Sequence, residues 1–279
     1  MKKSILILML LYSTIAAQEQ DTTLYKWTPS METGLNISQI AFSNWVKGGE
    51  NAFTWTFTGN FELGYETLDW KFRNQLKFAY GRSKLGTATY KTNDNDIYLE
   101  SVLSHNVGWV VDPYISNTFR TQVAKGYDYG VDPVVEIADF FDPGYITQSI
   151  GFTYDESEII RTRLGVAFQE VITSTYTQYS DDPDTPDEIE TFKFETGLES
   201  STDAKLTVAE NVVWQSKLRL FSRFETLDVW DVRWDNTITA SVNSWLNVNF
   251  SYILIYEKAQ SLKTQTKEAL QIGIVYKIL

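Results

Sequence analysis

Between Phe53 and Glu66 the side chains alternate almost without interruption. Phe53, Trp55, Phe57, Phe61, Leu63 and Tyr65 occupy every second position, with Thr54, Thr56, Thr58, Asn60, Glu62 and Glu66 between them. A period of two places the first set on one face of a β-strand and the second on the other. The pattern returns along the chain in segments longer than soluble strands usually are. An apolar face repeated about a dozen times, each opposite a polar face, is the pattern of a wall with lipid outside and a polar lumen inside. The expected fold class is therefore all-β, a single antiparallel transmembrane β-barrel of about twelve strands, with ten or fourteen as the alternatives. The expected location is the bacterial outer membrane.

The strands are expected at 33–46, 53–66, 69–82, 96–110, 114–124, 144–155, 158–172, 190–204, 211–224, 228–242, 245–258 and 266–278. Each is long enough to cross a bilayer at a tilt. An even number returns both ends of the chain to one side. The links between them sort by parity. Glu66–Asp69, Val111–Pro113, Asp155–Glu158, Val208–Asn211 and Asn243–Ser244 are short, whereas Ser83–Asn95, Lys125–Pro143 and Thr173–Ile189 are long. Short periplasmic turns opposite long extracellular loops produce this sorting. Trp70, Trp109, Trp214 and Trp245 fall at the short-turn ends, and Tyr80, Phe224 and Trp230 at the others, as two aromatic girdles would.

The first residues read differently. Lys2 and Lys3 precede the apolar run Ile5 to Leu11, which leads to Ala16 and Ala17. This reads as a secretory signal over 1–17, followed by a short periplasmic segment over 18–31 and the barrel over 32–279. The chain has no cysteine, which excludes thiolate metal sites and disulfides, and its formal net charge of −12 argues against nucleic acid as a partner. No cofactor is implied. The expected partners are the lipid bilayer and either small polar solutes or another envelope protein.

The strand parity also names the lumen. Lys71, Arg73, Gln75 and Lys77 point inwards on one strand, Glu100 on the next, and Arg161 and Arg163 on the seventh. Lys193, Glu195 and Glu199 follow on the eighth, Lys217, Arg219 and Arg223 on the ninth, and Asp231, Arg233 and Asp235 on the tenth. Such rows can meet as cross-strand pairs that close a narrow interior, or form a constriction that filters solutes. The first reading is favoured for the charges themselves, and a path past Arg73, Arg163, Arg219 and Arg233 is what a channel requires. The aromatic run from Tyr127 to Phe141 can plug the lumen or dock to a partner.

Two further readings are weighed. The acidic loop containing Asp181, Asp182, Asp184 and Asp187 could offer oxygen ligands to calcium, although no calcium-loop spacing is present and a solvated acidic surface explains it better. A hydrolase would need a histidine paired with a serine. The single histidine, His105, has Leu103 and Val107 on its own face and Ser104 on the other, so no enzyme activity is expected.

The first strand and its turn read Leu35-Asn36-Ile37-Ser38-Gln39, then Phe42-Ser43-Asn44-Trp45, then Gly48-Gly49-Glu50-Asn51. With the Asp112-Pro113-Tyr114 turn and the Ser216-to-Ser222 stretch, this resembles an uncharacterised family of Bacteroidota outer-membrane barrel proteins, a domain of unknown function. The resemblance implies fold and location and carries no activity. Physically, Gly48 and Gly49 supply the positive backbone angles of a hairpin turn, and Asn44 and Asn51 can hydrogen-bond its backbone.

Overall fold

The computed structural model describes residues 24–44, 46, 48–182, 185, 187–258 and 262–278. Twelve strands close one antiparallel barrel in which each strand pairs with the next, and β1 pairs with β14 to complete the circle. They are β1 (Trp27–Ile40), β2 (Ala52–Glu66), β3 (Trp70–Leu85), β4 (Lys91–His105), β5 (Asp112–Thr121), β8 (Gly144–Tyr154), β9 (Ile160–Ile172), β10 (Phe192–Ala209), β11 (Val212–Arg223), β12 (Asp231–Ser241), β13 (Leu246–Tyr256) and β14 (Gln265–Lys277). A small hairpin, β6 (Gly126–Asp128) and β7 (Val135–Ala138), sits in the loop between β5 and β8. Among the described residues no helix is long and apolar enough to cross a membrane; the crossing elements are strands.

Closure pairs every wall strand on both sides, which satisfies most ladder N–H and C=O groups within the wall, as a hydrocarbon environment demands, with the β1–β14 seam paired over Glu32–Ile37 and Ile272–Lys277. Alternation then sorts the side chains. On β12, Arg233, Asp235, Thr237 and Thr239 line an interior cavity, while Trp234 and Ile238 are exposed on the outside. The links at one end are 67–69, 106–111, 155–159, 210–211 and 242–245, and those at the other include 122–143 and 173–191. Exposed Trp27, Trp70, Trp109, Trp245 and Tyr276 ring the short-turn end, and exposed Tyr90, Phe140, Phe192 and Trp230 the loop end. A closed barrel with an apolar outer band and two aromatic girdles is built for the outer membrane.

Several boundaries differ from the sequence reading. β1 begins at Trp27, so the wall takes in residues 27–31, which were expected to precede it. It stops at Ile40, leaving 41–51 as a broad loop rather than a tight hairpin. β4 runs over 91–105 instead of 96–110, because Gly108 (φ 75°) and the Asn106-Val107-Gly108 turn end it early. The expected long loop 83–95 shrinks to 86–90, since β3 and β4 continue as a paired ladder past a bulge at Gly81/Arg82. The expected signal over 1–17 lies outside the described residues.

Candidate functional site: a charged lumen with an offset cavity

The lumen holds a packed network of side chains and a cavity that meets part of it. The interior faces of β8 and β9 place Gly151 opposite Gly165. A Cβ on Gly165 would lie 2.8 Å from the Tyr114 hydroxyl, so the missing side chain makes the slot for that ring. Tyr114 is buried, and its hydroxyl shares a hydrogen bond with Ser149 Oγ at 3.1 Å.

Around it the inward charges pair off. Glu100 on β4 accepts from Lys217 Nζ at 2.8 Å, from Arg163 on β9, and from the Tyr98 hydroxyl at 2.9 Å. Arg163 also reaches Ser201 at 3.2 Å. Nearer the loops, Arg219 donates to Glu199 at 2.6 Å and to Gln169 at 3.0 Å. Arg223 donates to Glu195 at 2.6 Å and to Asp231 at 2.7 Å, and Lys193 lies 3.0 Å from Glu195. At the turn end Asp155 sits between Arg73 and Arg161, and Lys71 stands 3.6 Å from Glu66. Arg233 forks onto Asp235 at 2.9 and 3.0 Å.

A cavity of about 1120 Å³ is lined by residues of all twelve wall strands. Its lining extends from Thr28, Gly64 and Lys205 at the turn end to Gln265, Ile255 and Asp94 at the loop end. Lys77 projects into it from β3 and Lys205 from β10 without an ion-pair partner within 4 Å among the described residues, in contrast to Arg73, Arg120, Arg161, Arg163, Lys217, Arg233 and Lys267 on the same lining. A smaller cavity of about 320 Å³ lies beside Lys71 and Arg161 at the turn end.

The sequence-derived lumen set therefore separates into two groups. Arg73, Lys77, Glu100, Arg161, Arg163, Lys217, Arg233 and Asp235 line the main cavity, whereas Lys193, Glu195, Arg219, Arg223 and Asp231 do not. Arg219 thus belongs to the packed network and not to the path on which it was expected. Sequence reasoning missed Arg120, which lies 3.5 Å from Asp96, and Lys267, which pairs with Asp94. Continuing the β5 and β14 alternation would have found both.

The remaining candidates resolve into local structure. Gly48 and Gly49 have φ of 81° and 127°, Asn44 also has positive φ, and Asn51 Oδ1 accepts from the Phe42 amide at 2.6 Å. Trp45 lies outside the described residues. In the acidic loop, Asp181 accepts from the Glu190 amide at 3.0 Å and Glu190 accepts from the Asp182 amide at 3.1 Å. No group of three His, Asp or Glu side chains is arranged to hold a metal among the described residues, and Asp184 falls outside them. His105 Nδ1 donates to the Asp69 carbonyl at 2.9 Å while its ring stacks on Trp70 at 4.3 Å, a girdle position and not a catalytic pair.

The loop hairpin β6–β7 contributes nothing to the lining of the main cavity. It is tied to loop 173–191 instead. Asp142 accepts from the Ser174 and Thr175 amides at 2.9 and 2.7 Å, and Glu136 accepts from the Tyr176 hydroxyl. Lys125 Nζ, 2.8 Å away, and Tyr176 hold the Glu136 carboxyl below the usual carboxylate range; the same hydrogen bond pushes the Tyr176 phenol up to about 12.

A family described as a protein of unknown function (DUF3078) matches residues 37–127, about a third of the chain, from the end of β1 to β6. That span contains the Phe42-to-Asn51 string and the Asp112-Pro113-Tyr114 turn; the Ser216-to-Ser222 stretch lies beyond it. No curated protein matches. Among solved structures, the chain is similar to the COG4313 outer membrane channel from Pseudomonas putida F1 at 10% identity, covering 92% of this chain and 97% of that one, with a TM-score of 0.39. It is also similar to the translocator domain of the autotransporter NalP from Neisseria meningitidis, at 10% identity, 90% and 87% coverage and a TM-score of 0.35. A refined porin follows at 6% identity, 91% and 100% coverage and a TM-score of 0.36.

Proposed function

We propose that the protein is a narrow outer-membrane channel for small polar solutes. The observation that carries this reading is a cavity whose lining runs from the turn end of the barrel to its loop end and takes in part of the ion-pair network. Charges that are paired stiffen the wall and leave little net field. Lys77 and Lys205 face the cavity with no carboxylate within 4 Å among the described residues, and Glu32, Glu62 and Glu158 face it with no cation that close. An uncompensated charge beside a water-filled path favours ions of the opposite sign there.

The test is conductance of the refolded barrel in a planar bilayer. Small, steady steps are expected. Lys77→Glu should shift the anion-to-cation permeability ratio several-fold towards cations. Silence from protein shown to be folded by its heat-dependent gel mobility would remove the channel reading.

A second reading, an accessory barrel that docks to another envelope protein, is favoured by one observation. Val131, Val134, Val135 and Phe140 are all exposed on the loop hairpin. Under that reading the closed barrel is silent and hairpin substitutions abolish co-purification of a partner.

A further inference from the structure

The outward face of β3 changes character along its length. Phe78 and Tyr80 face outwards in succession, and the next two outward positions on the strand are Arg82 and Lys84. The lower pair packs against β2, Phe78 on Phe57 at 5.9 Å and Tyr80 on Trp55 at 6.0 Å. Beyond them both cations converge on one ring. Arg82 Cζ lies 5.6 Å and Lys84 Nζ 5.7 Å from the centroid of Tyr90, and Arg82 also donates to the Tyr90 carbonyl at 2.8 Å.

Neither cation has a carboxylate within 4 Å among the described residues, although the chain carries a net charge of −12. Arg82 Nε is withdrawn from solvent and has no hydrogen-bond partner. On the lumen side almost every cation is spent on a carboxylate; on this outer wall two are left unspent and held side by side. Their height is also informative. They stand one step past the Trp55–Tyr80 pair on the loop side, where an aromatic girdle marks the boundary between acyl chains and headgroups. Cations on a barrel's lipid face are costly at the midplane and tolerated near this boundary.

We propose that Arg82, Lys84 and Tyr90 form a binding site for the phosphate group of a lipid headgroup in the outward-facing leaflet. A guanidinium offers two parallel N–H donors to phosphate oxygens and the ammonium adds a mobile point charge. The tyrosine face keeps the two cations together against their mutual repulsion. A lipid is the occupant, and not free phosphate, because the site faces away from the lumen. It also sits directly over the aromatic wall of Phe57, Phe78, Trp55 and Tyr80 that acyl chains would cover.

The experiment uses the full barrel in nanodiscs of phosphatidylcholine, titrated with bisphosphorylated lipid A. Binding is read by native mass spectrometry and by the unfolding temperature. One lipid A should remain bound to the wild type and raise that temperature. Arg82→Gln with Lys84→Gln should weaken binding by roughly tenfold or more. A charge-matched Lys26→Gln with Lys258→Gln control should bind as wild type. If the double variant does not fold, Lys84→Gln alone is measured, with a several-fold loss expected. Wild-type binding by a folded variant would overturn the proposal. So would equal binding of dephosphorylated lipid A, or an equal shift with inorganic phosphate alone.

Discussion

At the scale of single residues, the charges outside the membrane behave differently from those in the lumen. Glu190 is half-buried at the base of the acidic loop, and its carboxyl is pulled down to about 2 by the Thr185 hydroxyl, the Asp182 amide and its contact with Asp181. An unfolded glutamate titrates near ~4.3. A folded pKa below the unfolded one means the stabilisation is present above ~4.3 and is lost as pH falls towards 2. Amide hydrogen exchange over residues 173–191 should therefore accelerate progressively between about pH 4.5 and 2, beyond the intrinsic pH dependence of exchange. Glu190→Gln should remove that dependence. Unchanged protection across the window would mean the loop is held by its backbone bonds alone.

At the scale of elements, the alternation of β5 and β8 has a defect that the pairing register brings together. Asn117 faces outwards between Ile115 and Phe119, directly opposite Gln148, which is followed outwards by Ile150. Neither amide makes a hydrogen bond among the described residues. An unpartnered amide facing hydrocarbon is costly. Asn117→Leu is expected to stabilise the barrel by about 1–2 kcal/mol in urea unfolding in lipid vesicles. A loss of stability on that substitution would instead mean that something polar covers this wall in the membrane. The neighbouring outward pair Asn74 and Ser101 avoids the same cost, because the amide donates to the hydroxyl at 2.7 Å.

At the scale of the molecule, Glu100 is the residue that ties one side of the barrel to the other. Lys217 on β11 reaches it at 2.8 Å across the lumen, past the intervening strands β10, β9, β8 and β5. All three ionic partners have side chains about nine-tenths buried. Removing the carboxylate strands the buried Arg163 and Lys217 against each other, with only Asp203, 3.3 Å from Lys217, left to compensate. Glu100→Gln should cost about 3–5 kcal/mol of unfolding free energy. Adding Lys217→Met should recover part of that loss, since it removes one of the stranded charges. Equal stability of Glu100→Gln and wild type would show that the network is solvated rather than packed.

Period-two patterning was enough to read the twelve-strand barrel, because a lipid exterior punishes any strand that presents the wrong face. It could not place strand ends where β3 and β4 extend past a bulge, since ladder pairing and not side-chain pattern sustains them there. Nor could it say which inward charge meets which. The expected partners were on adjacent strands, whereas Glu100 is satisfied by β9 and β11. That choice depends on the curvature of the closed wall and on the slot that Gly165 opens for Tyr114. The chain alone thus determined that there is a membrane-spanning wall with a charged interior. Only closure in three dimensions decided which inward charges pair across the interior and which line the cavity, because distances across a lumen are set by the circumference and not by sequence spacing.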